Sequence, residues 1–123
     1  MGKNILIIED DQVLQDVLKV ALETEGYSVT QSFNGEDGFE KIKSTNPDLI
    51  LLDLVMPIRL GEWVLQQMSD EGILNKCPLI VLSAKRDEVS ITNCITKYNV
   101  ANYIVKGDVS LTSIIEMVKK VIK

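Results

Sequence analysis

"LILLDLVMP", residues 49–57, sets one carboxylate, Asp53, inside a run of leucine, isoleucine and valine. An unbroken apolar run closed by Pro57 suits a strand covered on both faces, as in parallel sheets flanked by helices. A charge in such surroundings costs several kcal/mol unless it is paired or binds a metal. The stretch that announces a buried parallel strand therefore also announces a partner or a task for Asp53.

Working outward, "KNILII" (3–8), "YSVTQS" (27–32), "PLIVLS" (78–83) and "NYIVK" (102–106) read as further strands, the second short and polar enough for a sheet edge. Helical period fills the gaps. Val13, Leu14, Val17, Leu18, Ala21 and Leu22 form one stripe over residues 12–25, and Gly26 ends it. Phe39 and Ile42 mark a helix over 35–44 that "NPD" (46–48) breaks. Trp63, Val64, Leu65 and Met68 mark a third helix, closed by Gly72. The fourth, over 87–98, is expected to bury Val89, Ile91, Cys94 and Ile95 and to end at Asn99 in a left-handed conformation. Ser110 offers a cap for the last, which carries Ile114, Ile115, Val118, Val121 and Ile122. Five β-α repeats without hairpin signals predict one α/β domain over residues 1–123. Its expected form is an open, doubly wound, five-stranded parallel sheet, order 2-1-3-4-5, with five helices on both faces.

Composition narrows the function classes. The 123 residues carry a net charge of −5, and the only basic cluster is Lys119, Lys120 and Lys123. Direct binding to nucleic acid is not expected of such a surface. No apolar stretch approaches a spanning helix, and the opening "MGKNILIIEDD" lacks a cleavage site and a serine or threonine at position 6, so no membrane attachment is expected. There is no histidine, and Cys77 and Cys94 have no short metal-ligand spacing, which disfavours zinc and histidine-based acid–base chemistry. Both thiols read as inert and buried in a reduced, cytoplasmic protein.

In a doubly wound sheet, ligands bind beyond the carboxyl ends of the strands. Those ends supply Glu9, Asp10 and Asp11, then Asp53, Ser83 and Lys106. Clustered carboxylates resist ionisation unless a cation sits among them, and oxygen-only ligands favour Mg²⁺. A carboxylate beside Mg²⁺ and a lysine can accept a phosphoryl group, with Lys106 as a point charge and the Ser83 hydroxyl as a donor. Asp11 reads instead as a helix cap or an exposed acid, and Trp63 and Met68 as core.

The set "IIEDD", "LLDLVMP", "VLSA" and "YIVK", in this order and spacing, resembles the receiver domain of two-component response regulators along the whole chain. The resemblance implies that Asp53 is the phosphorylated aspartate and that Glu9 and Asp10 are the acidic pair holding Mg²⁺. The backbone carbonyl of Val55 would be the third protein ligand. Ser83 would be the hydroxyl that moves toward the phosphoryl group, Ala84 the small residue beside it, Lys106 the site lysine, and Tyr103 the aromatic switch. The implied donor is a sensor histidine kinase or a phosphotransfer protein. The implied output is a downstream protein, or a homodimer, meeting the surface of the fourth helix, fifth strand and fifth helix. Two departures stand out: Gly107 follows the lysine where receivers usually have proline, and "MPIRLG" (56–61) replaces the usual Met-Pro-x-Met-Asp-Gly. Arg59, in that loop, is open to a role at the metal or toward the kinase.

Other readings fit less of the chain. A pseudo-receiver, an interaction module blind to phosphorylation, would have lost an acidic, hydroxyl or lysine position, and none is lost. A flavin carrier needs a Ser/Thr/Gly-rich phosphate loop where this chain has "EDDQ" (9–12), and a phosphohydrolase needs a second aspartate where Val55 stands.

Overall fold

β3 (Leu49–Leu52) is buried at every position, as its leucine and isoleucine content demands. The computed structural model describes residues 2–122 and sets β3 at the centre of a five-stranded sheet. β1 (Asn4–Ile8) and β2 (Ser28–Ser32) lie on one side, β4 (Leu79–Ser83) and β5 (Asn102–Val105) on the other. The order is β2-β1-β3-β4-β5 and every pairing is parallel. The order reverses between β1 and β3, so a crevice opens beyond their carboxyl ends.

Strand alternation divides the core in two. Ile5 and Ile7 of β1 face α1 (Gln12–Thr24) and α5 (Leu111–Val121), packing with Leu18, Leu22, Ile114 and Val118. Leu6 and Ile8 face α2 (Gly35–Thr45) and α3 (Gly61–Asp70), packing with Phe39, Ile42, Leu65 and Met68. The short α4 (Glu88–Thr92) continues as a π-helical turn, Asn93–Lys97, and Cys94 of that turn joins the second cluster. Each such fully buried aliphatic side chain contributes about 1.5–3 kcal/mol.

Local chemistry sets the helix ends. Asp11 caps α1 by accepting from the Val13 and Leu14 N–H groups, and Ser110 caps α5 by accepting from Ser113. Such caps contribute about 1 kcal/mol each. Asn99 ends the π-helical turn at φ 54°, the left-handed conformation expected of it. Gly107 adopts φ +87°, which proline at that position could not reach, so the loop after β5 turns by glycine freedom.

Two helical faces differ from the sequence expectation. On α1 the buried residues are Gln15, Leu18 and Leu22, while Val13 and Val17 of the expected stripe are exposed. On the fourth helix Ser90, Cys94 and Tyr98 are buried, whereas Val89 and Ile95 are exposed. The π-helical turn changes the period, so a stripe drawn at 3.6 residues per turn drifts off the core. β3 and β5 each end one residue early, which makes Asp53 and Lys106 the first residues beyond their strands.

Ile58, in the loop after β3, is held at φ +71° and is 68% exposed. A β-branched residue in this conformation costs about 1–2 kcal/mol, so the loop beside Asp53 is strained. Among the described residues no helix is long and apolar enough to cross a membrane.

Candidate functional site

Asp53 stands where β3 stops, its N–H donating to the Ile8 carbonyl at 3.0 Å. Gly61 follows at the start of α3, and a Cβ there would collide with the Asp53 carbonyl, so glycine lets the helix seat directly on the aspartate backbone. The Asp53 side chain is 4% exposed. Its Oδ1 accepts the Val55 N–H at 3.3 Å and its Oδ2 faces Lys106 Nζ at 3.3 Å.

Lys106, the first residue past β5, also pairs with Glu9 Oε1 at 2.6 Å. Glu9 is buried, and its Oε2 accepts the Asp11 N–H at 3.0 Å. Asp10, next in the turn, is exposed. Ligand oxygens of Glu9, Asp10 and Asp53 all lie within 4.8 Å of one another. The topology has thus brought together the ends of β1, β3 and β5, which are far apart in sequence.

The charges are unevenly tuned. Burial pushes the Glu9 carboxyl from 4.5 up to about 7, the Lys106 and Asp11 donors oppose this, and Asp53 adds to it. Burial alone would lower the Lys106 ammonium, but the two carboxylates outweigh it and hold the group above its ordinary range. A carboxyl raised on folding contributes stability that is full below its unfolded value and lost as pH rises through its folded one. In EDTA, wild type is therefore expected to lose about 2 kcal/mol of unfolding free energy between about pH 5 and pH 8. Urea melts of Glu9→Gln should be flat over that window, and an equal fall in the variant would refute the assignment.

Ser83 ends β4, is fully buried, and accepts the Lys85 N–H at 3.3 Å; it makes no hydrogen bond to Asp53. Tyr103 is half-buried and donates to the Lys85 carbonyl at 2.6 Å, while burial pushes its phenol up to about 12. Ser83 and Tyr103 thus hold one peptide loop from two sides. Ala84 is exposed beside them. Val55, half-exposed, contributes its N–H to Asp53.

Arg59 turns away from the acids. It lies 4.8 Å over the Trp63 ring and pairs with Glu36 at 3.8 Å, and Trp63 in turn meets Phe39 edge to face. Cys77 and Cys94 are pushed up to about 11 by burial, as inert thiols should be. Sequence reasoning missed Lys85 and Gln15. Lys85 pairs with Glu62 at 3.4 Å, tying the loop after β4 to α3. Gln15 reads as a surface residue of an amphipathic helix, yet is fully buried.

An all-oxygen acidic cluster with a lysine at the switch point of this sheet is a distinctive arrangement, and the profile of the response regulator receiver domain matches residues 5–119. The chain belongs to the receiver domain family. Receiver domains are phosphoacceptor signalling domains of two-component systems rather than conventional enzymes. The transcriptional regulatory protein CseB of Streptomyces coelicolor is 33% identical over 88 residues, covering 72% of this chain and 36% of CseB. The response regulator TrrA of Thermotoga maritima, solved in complex with Mg²⁺–BeF, is 28% identical with a TM-score of 0.80, over 97% of this chain and 98% of that one. A CheY-like receiver domain protein from Methanospirillum hungatei gives 25% identity and a TM-score of 0.87, over 98% and 93% of the two chains. This receiver spans about a third of the length of the curated relatives it matches. Several of those are named transcriptional regulators, so the expectation that nucleic acid plays no direct part gains no support from them.

Proposed function

We propose that residues 1–123 form one receiver unit that takes a phosphoryl group onto Asp53 from a histidine kinase or a phosphotransfer protein. The observation that carries this reading is the meeting of three carboxylates within 4.8 Å with Lys106 at 3.3 Å from Asp53. The donor set fits Mg²⁺: its ligands are all oxygens, and three carboxylates converge on one point with a single lysine to balance them among the described residues. Glu9, Asp10 and Asp53 would hold the ion, with the Val55 carbonyl as a further ligand. Bound Mg²⁺ would supply the charge that offsets repulsion among the three acids and would steady a phosphoryl oxygen beside Asp53.

The protein's own groups do the rest. An Asp53 carboxylate oxygen bonds to phosphorus as the donor's P–N bond breaks. The electron pair leaves on the imidazole nitrogen, which takes a proton from solvent, and an acyl phosphate remains on Asp53. Lys106 leaves its pairing with Glu9 to neutralise a phosphoryl oxygen. Ser83 exchanges its bond with the Lys85 N–H for one to the phosphoryl group. The loop so released is the one Tyr103 holds through the Lys85 carbonyl, which gives the switch a path to the α4–β5–α5 surface. Exposed Val89 and Ile95 on that surface suit a downstream protein or a second copy of the chain. We place this activity in the cytoplasm.

Intact-mass spectrometry after incubation with acetyl phosphate and Mg²⁺ tests the reading. The expected gain is one phosphoryl group, about 80 Da, lost when EDTA replaces Mg²⁺. An adduct that forms equally well in EDTA would contradict it.

A further inference from the structure

α1 fully buries three residues, and only two are apolar: Leu18 and Leu22 follow Gln15 at helical spacing, and all three are 0% exposed. Packing alone would favour leucine or methionine at position 15, because a buried amide must find partners for both its ends. Gln15 finds partners for one. Its Nε2 donates toward the Ile7 carbonyl at 3.1 Å, the Glu9 carbonyl at 3.0 Å and the Ser32 carbonyl at 2.8 Å. Its Oε1 is buried with no partner among the described residues. The amide orientation is unambiguous, since the reverse would aim an oxygen at three oxygens.

The three carbonyls identify what is being held. Two belong to β1 and the turn that follows it, and the third to the end of β2. The Glu9 N–H also donates to the Ser32 carbonyl, at 2.9 Å, so Gln15 closes a clamp around the Glu9 main chain. The Glu9 side chain then accepts the Asp11 N–H, and the Asp11 carbonyl accepts the Gln15 N–H at 2.9 Å. The Glu9–Asp11 turn, which aims the carboxyl groups of Glu9 and Asp10, is thereby held at its Glu9 end by the Gln15 side chain and at its Asp11 end by the Gln15 main chain.

We infer that Gln15 is a positioning residue for the acidic turn, setting the affinity of the Glu9–Asp10–Asp53 cluster for a divalent cation. This rests on the reading of that cluster as a Mg²⁺ site. Gln15 touches neither the cation nor Asp53; it acts through the main chain of Glu9. Mg²⁺ tolerates little departure from octahedral geometry, so a loosened turn lowers affinity before it unfolds the domain. Residues that orient metal ligands from outside commonly change affinity by about 10–100-fold when replaced.

The test is calorimetric titration of Mg²⁺ into metal-free wild type, Gln15→Met and Gln15→Lys, with urea melts of each in EDTA. Methionine keeps the volume and loses the donors. Lysine restores donors, three N–H groups for three carbonyls. Wild type should bind Mg²⁺, Gln15→Met about tenfold more weakly, and Gln15→Lys within about threefold of wild type. A Gln15→Met variant that binds Mg²⁺ as tightly as wild type would overturn the inference, whatever its urea midpoint, because the residue would then serve packing alone. If the methionine variant does not fold, Gln15→Asn, with its amide drawn back by one methylene, gives the same comparison. Wild type that binds no Mg²⁺ would overturn the parent reading, and this inference with it.

Discussion

Asp53→Asn is expected to gain no phosphoryl group from acetyl phosphate at any Mg²⁺ concentration, with its fold intact. An amide is a poor nucleophile and forms no acyl phosphate, so the loss is complete rather than graded. Stability should not fall. Asp53 is buried beside Glu9 and contributes to raising that carboxyl, so replacing it removes a repulsion. Asp53 accepts from Val55 N–H on Oδ1 and from Lys106 on Oδ2, and asparagine keeps one of these two acceptors, so the lost contact to a part-exposed lysine is offset by the removed repulsion. Intact mass and a urea melt on one preparation check both halves. Uptake at wild-type stoichiometry would move the acceptor to another acid and refute the assignment.

Lys106→Met separates the two duties of the lysine. In EDTA at about pH 8 the variant is expected to lose about 2–3 kcal/mol of unfolding free energy, because removing one partner strands buried carboxylates. The value sits at the low end of such losses because the Lys106 side chain is 25% exposed and Glu9 can take up a proton. Saturating Mg²⁺ should restore most of that stability, since a cation among the acids replaces the missing charge. The rate of phosphoryl uptake should not recover. With no counter-charge on the phosphoryl oxygens, it is expected to stay about a hundredfold below wild type. Urea midpoints with and without Mg²⁺, together with initial rates by mass, give both answers. An unchanged midpoint in EDTA would mean that the Glu9–Lys106 contact at 2.6 Å carries little energy.

The sheet was legible because its strands need no partner information to be recognised. Runs such as Leu49–Leu52 and Leu79–Ser83 are apolar almost throughout, and glycine, proline and capping residues separate them from helical stripes. The site followed from topology: once the strands are parallel, Glu9, Asp53, Ser83 and Lys106 reach one edge. What stayed hidden depends on contacts between elements. Val13 and Val17 look like core on a helical wheel, yet Gln15 takes the inward place because main-chain carbonyls wait for it there. The fourth helix changes period within its own length, so Ser90 and Tyr98 face inward where Val89 and Ile95 had been expected. Arg59 stacks on Trp63 rather than facing the acids, a choice fixed by the neighbouring ring and Glu36. The strain at Ile58 cannot be read from composition, because nothing in the side chain signals a positive φ.

The central claim, that Asp53 itself receives the phosphoryl group, is tested most directly by trapping the product. Borohydride reduces an acyl phosphate to an alcohol and leaves a free carboxylate untouched. After reaction with acetyl phosphate and Mg²⁺, reduction should convert Asp53 to homoserine, a loss of about 14 Da in the peptide carrying residue 53 and in no other. A loss mapped to Glu9, Asp10 or Asp11, or none in a sample that had gained the phosphoryl mass, would contradict the account.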